Sequence, residues 1–291
     1  MAMRLKRWQA SIDFYAGWNA RQVARRFMDL INDDRNPLEY ALSRAHEEPA
    51  MRPDFYRALL ASEIYLIGSS EPGGRDAAGQ QVTLMQWETE RGERMIPFFT
   101  SLEEVRRSID SEEQVLRMPG AQLMALGTDV PLVLNPLSDH QEVLSPDDVQ
   151  ALAEGHLPGV AAVASREQDG GASRQVRIPQ PYPAMLVDAL TTLFVGRDEV
   201  EAAWICAMEM EAPVDAGQLL IGLDLVTGSF DRIAEEVVYV TSQVDSEGYA
   251  AADVMELGDT PLAQQIRASS DPFYSRRWGQ RIADPLRPGH A

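Results

Sequence analysis

One cysteine, Cys206, stands in 291 residues, so no internal disulfide forms and nothing in the chain calls for an oxidising compartment. Lysine is as scarce: Lys6 is the only one, and a phosphate-cradling loop needs a lysine behind its glycines. The glycine pairs Gly73-Gly74 and Gly170-Gly171 have neither that lysine nor a strand-to-helix setting, which removes nucleotide loops of this type. Four histidines, His46, His140, His156 and His290, are scattered without ligand spacing and have one thiol to join them, so a cysteine–histidine zinc site is excluded. No stretch approaches the roughly 18 apolar residues that a membrane helix requires. Residues 1–7 are charged where a secretion signal would carry an apolar run, and a cytoplasmic location is expected. Bases are few overall, 26 against 45 acids, and the resulting charge of −19 repels phosphate backbones and disfavours nucleic acid.

Catalytic groupings are missing as well. Ser138-Asp139-His140 has the residue types of a nucleophilic triad, but neighbours in a turn point apart, and the glycine-flanked hydrolase serine is absent. Cys206 alternates with Trp204 and Met208 on an apolar strand, a setting that makes a thiol inert. Acid pairs such as Asp147-Asp148 lack calcium-loop spacing. The chain is therefore read as non-catalytic, with no cofactor and no metal.

What is present divides the chain into four parts: an N-terminal extension (1–35), a first domain (36–164), a linker (165–180) and a second domain (181–291). The extension places Leu5, Trp8, Ile12 and Tyr15, then Val23, Phe27, Leu30 and Ile31, at three-and-four spacing, which predicts amphipathic helix. It is locally basic and has the remaining acidic protein, or a sister subunit, as a counter-surface. The linker holds Gly170-Gly171 and runs into Pro179, Pro181 and Pro183, a flexible joint followed by a stiffer extended piece.

In the first domain Leu38, Ala41, Leu42 and Ala45 form one helical stripe, and Phe55, Leu59 and Leu60 another. Residues 64–67, 82–89, 95–99 and 131–135 read as strands, the middle two as an antiparallel pair. Ser101 with Glu104 predicts a capping box that starts a helix with Leu102, Val105 and Ile109 inward. Residues 121–126 are predicted helical, and Ser145-Pro146-Asp147-Asp148 opens another helix. The second domain reads as helix (Met185, Leu186, Ala189, Leu190, Leu193), strands at 200–211 and 218–226, a helix striped by Phe230, Ile233, Ala234, Val237 and Thr241, a strand at 252–257 and a helix at 261–268. The expected class is α+β: two small domains with largely antiparallel or mixed sheets, preceded by the helical extension.

Four segments carry a resemblance: Asn36-Pro37-Leu38-Glu39; Arg52-Pro53-Asp54-Phe55-Tyr56-Arg57-Ala58-Leu59-Leu60; Ile96-Pro97-Phe98-Phe99-Thr100-Ser101-Leu102-Glu103-Glu104; and Leu132-Val133-Leu134-Asn135-Pro136-Leu137-Ser138. In this order they resemble the N-terminal domain of the SseB (enhanced serine sensitivity) family. The second half, with Asp271-Pro272-Phe273-Tyr274 near its end, resembles that family's C-terminal domain. The resemblance spans about residues 36–285 and implies an effect on serine tolerance without supplying a mechanism.

The expected function is binding. An acidic protein suits a basic protein partner, such as a toxin or effector of a bacterial secretion system, type VI among them, held by an immunity or chaperone-like factor. Candidate contact residues are Glu209, Glu211, Glu235 and Glu236, together with the C-terminal Phe273, Tyr274, Arg277 and Trp278, whose composition suits interface anchors as it suits a tail folded on its own domain. Association of the chain with itself stands open. The alternative is a metabolite sensor, or an enzyme without a recognised motif, in amino-acid metabolism, using a cleft between the domains.

Overall fold

The computed structural model describes residues 4–12, 36–72, 80–89, 91–109, 113–160, 176–208, 217–226, 230–249 and 251–276. They form two units, Met1–Gly159 and Val160–Ala291. Both are α+β with mixed sheets, as expected.

Unit 1 is built on strands β1 (Arg4–Ile12), β2 (Glu63–Pro72), β3 (Gln80–Glu88), β4 (Arg94–Phe99), β5 (Val115–Pro119), β6 (Leu132–Leu134) and β7 (Glu142–Leu144). The sheet order is β1-β3-β2-β4-β6-β7, with β5 added beside β2. Helices α1 (Pro37–Glu47), α2 (Arg52–Ala61), α3 (Leu102–Ser108), α4 (Gly120–Ala125) and α5 (Pro146–Glu154) complete it. The predicted stripes of α1 and α2 are all buried, and the β3–β4 pair is antiparallel with Trp87 opposite Met95. The mixed character comes from β4 and β6, which run parallel with Phe98 beside Leu134.

Strand β2 serves three ladders. Its first half pairs with β5 and touches β4 at Tyr65 and Leu66, and from Gly68 onward it pairs with β3. Glycine is required at the changeover because a Cβ on Gly68 would sit 2.2 Å from the Thr83 carbonyl oxygen, inside any permitted contact.

Three expectations in this unit are corrected. Residues Arg4–Ile12, predicted helical, form a strand whose nine residues pair antiparallel with β3. Leu5, Trp8 and Ile12 fit helical spacing, but Trp8, Ala10 and Ile12 also alternate, and pairing with β3 selects the extended form. The rest of the predicted extension, 13–35, lies outside the described residues. Leu102, predicted inward, is 42% exposed because it is the first residue of a short helix whose buried contact is made by Val105. The box at Ser101 is half made: its hydroxyl accepts from the Glu104 amide at 3.3 Å, while the Glu104 carboxylate accepts from Arg107 at 2.6 Å. The complete reciprocal box is at α5, between Ser145 and Asp148.

Unit 2 contains β8 (Val176–Arg177), α6 (Ala184–Val195), β9 (Val200–Met208), β10 (Gln218–Leu225), α7 (Phe230–Gln243), β11 (Ala251–Glu256), α8 (Pro261–Ser269) and β12 (Tyr274–Ser275). The sheet runs β11-β10-β9-β12, with β8 also on β9. Strands β9 and β10 are antiparallel; β10 and β11 are parallel. Trp204, Cys206 and Met208 join Leu220, Leu257, Ala263 and Ile266 in one core layer, while Ile205, Ala207, Leu219, Ile221 and Leu223 are buried on the opposite face. The end of the predicted linker is drawn into this sheet, because Val176 and Arg177 pair with Met208 and Ala207.

Candidate functional site

In unit 1 three of the four quoted segments converge. Strands β4 and β6 end side by side, and Thr100 and Asn135 follow directly on each. Asn135 adopts the left-handed backbone (φ 46°) that asparagine tolerates better than most residues. Its side-chain oxygen accepts from the Thr100 amide at 3.0 Å, and its amide nitrogen donates to Thr100 Oγ1 at 3.0 Å. The Thr100 hydroxyl donates to Glu39 at 2.7 Å, and the Thr100 carbonyl accepts from the Asn36 side chain at 2.8 Å. Asn36 also caps α1 through the Leu38 amide. Three stretches distant in sequence are thus tied by one buried threonine. Its polar groups are engaged by one another, which makes it a fastening of the fold.

A second polar group lies at the start of α2. Glu142, buried at the beginning of β7, accepts from Arg52 and from the Tyr56 hydroxyl, and the Arg52 guanidinium lies 5.9 Å from the Tyr56 ring centre. The preceding turn carries the exposed His140, whose ring is 5.3 Å from that of His46. Ser138 accepts from the backbone amide of His140 at 3.2 Å, as a polar turn requires. No three His, Cys, Asp or Glu side chains gather as metal ligands among the described residues.

In unit 2, Cys206 is buried, and burial pushes its thiol up from the ordinary value, opposed in part by Ser269 at 3.8 Å. The predicted contact residues separate. Glu236 is 3% exposed and is bound by Arg197 at 2.5 Å and Arg232 at 3.1 Å, so it serves the core and not a docking face. It sits on α7 in register with Ile233, Val237 and Val240, a placement that the adjacent Glu235-Glu236 pair did not reveal. Glu235 is half-buried on the same helix. Phe273 and Tyr274 pack on Phe194, with ring centres 6.2 and 5.4 Å away, and the Tyr274 hydroxyl donates to the Phe194 carbonyl. These two aromatics close their own domain. Glu209, Glu211, Arg277 and Trp278 lie outside the described residues.

Sequence reasoning passed over the acids Asp253, Glu256 and Asp259 on and after β11. Its available signal was the run between Glu209 and Asp259, with twelve acids and one base, Arg232. That base is already engaged by Glu199 at 3.0 Å and by Glu236.

Comparison with known proteins agrees with the two-unit architecture. Residues 38–151 match the family model described as SseB protein N-terminal domain, and residues 169–276 match SseB protein C-terminal domain. Protein SseB of Escherichia coli K12 is 30% identical over 262 residues, covering 87% of this chain and 97% of the relative. Protein SseB of Shigella flexneri matches to the same extent. No solved structure matches.

Proposed function

The chain belongs to the SseB family, and from that premise we propose that it is a non-catalytic acidic factor that acts by binding a basic protein partner. The observation that carries this reading is the charge of −19, with its long uncompensated stretch in unit 2. Such a field accelerates encounter with a basic surface and rejects acidic competitors. The concrete form is an immunity or chaperone-like protein that holds a basic toxin or effector of a bacterial secretion system. The engaged polar groups of unit 1 and the inert Cys206 support a binding role over chemistry at those positions.

The test is capture by the tagged full-length chain from its host at low and at physiological salt, with bound proteins identified and their stoichiometry measured. A single basic protein retained one-to-one at physiological salt, and released when Asp253 and Glu256 are changed to arginine, supports the reading. Nothing retained, together with a thermal shift on millimolar serine or related metabolites, replaces it with metabolite sensing.

A further inference from the structure

Strand β11 ends its sheet. Among the described residues it pairs with β10 alone, and Ala252, Asp253, Val254 and Met255 are half-exposed where Leu219 to Leu223 of β10 are buried. In a parallel ladder, alternate residues turn both N–H and C=O toward the neighbour. The Leu257 amide donates to the Leu223 carbonyl at 2.8 Å. Counting back in twos, Met255 and Asp253 address β10, so Ala252 and Val254 direct their backbone groups outward. This is a row of donors and acceptors of the kind that admits one further strand.

The geometry points to β11 as a docking edge that takes an extended, arginine- or lysine-bearing segment of a protein by strand addition, an inference that rests on the basic-partner reading. Charge chooses the occupant. Asp253, Glu256 and Asp259 line or follow the edge, and the neighbouring Asp224 is held by Arg267 at 2.5 Å. Two copies of this edge repel each other, as does any acidic strand, while a basic strand gains attraction along with the backbone bonds. The same carboxylates that keep the open edge from self-pairing therefore set its specificity.

The probe is a synthetic peptide of alternating arginine and valine, seven residues long, with a glutamate–valine peptide as control, titrated into the full-length protein. The basic peptide is expected to bind and the acidic one not, with the largest backbone amide shifts at residues 251–256. Val254→Pro removes an outward N–H on an edge strand, where proline leaves the inner ladder intact, and is expected to weaken binding at least tenfold with the circular dichroism unchanged. Equal binding of both peptides, or amide shifts centred elsewhere, overturns the inference even if the proline variant does not fold. So does an oligomer of the unliganded protein that Val254→Pro converts to monomer, since a second copy would then own the edge. A basic partner captured equally by wild type and by folded Val254→Pro refutes the edge and leaves the partner reading standing. Peptide at β11 with no partner captured does the reverse.

Discussion

Thr100 shows how a single side chain can hold several elements. Its hydroxyl satisfies Asn135 and Glu39 together, and replacement by valine keeps the volume while stranding both partners. Thr100→Val is expected to cost about 1–3 kcal/mol, the usual penalty for unpaired buried polar groups. An unchanged urea midpoint would refute the assignment. Cys206 gives the second residue-scale prediction. Its raised folded value means that stability is complete below the ordinary thiol value of 9.0 and declines as pH rises through the raised one. Tyr274, also raised by burial and opposed in part by Arg276, adds to the same alkaline loss. Folded protein should resist iodoacetamide at pH 8 and react once urea unfolds it; fast alkylation under native conditions would contradict the burial.

At the scale of elements, the reciprocal box at α5 sets a defined expectation. Ser145→Ala should lower unfolding stability by about 1 kcal/mol, measured by denaturant titration, while Ser145→Thr should largely preserve it. Elements whose signal is local were legible in the sequence: the stripes of α1, α2 and α7, the strand at β10, and the serine–proline start of α5. Strand β1 was not, because its identity depends on a partner some seventy residues away and two of its apolar residues, Trp8 and Ile12, fit both periods. The same limit applied to the site. Glu236 and Glu235 are adjacent carboxylates in sequence, and only the packing of α7 sends one of them to Arg197. The threonine knot was legible as a set of family residues but not as a contact. The edge position that β11 holds among the described residues was invisible because an edge is defined by the pairing of every other strand.

For the whole molecule, self-repulsion is the dominant long-range term. With a charge of −19, compactness is opposed at low ionic strength and relieved when salt shortens the screening length to about 8 Å at physiological concentration. The melting temperature should therefore rise between about 10 and 150 mM sodium chloride. A fall would mean that the ion pairs, such as the Glu236 cluster, outweigh the repulsion.

Strand β2 has a further consequence, for how unit 1 opens. Because one continuous strand pairs with β4 and β5 before Gly68 and with β3 from it onward, neither half of the sheet can come apart without releasing a backbone that the other half needs. Local fraying and global unfolding then have little between them. In native-state hydrogen exchange the amides of β3 and β5, which each pair with β2 and not with one another, should report one shared opening free energy, as if they belonged to a single foldon.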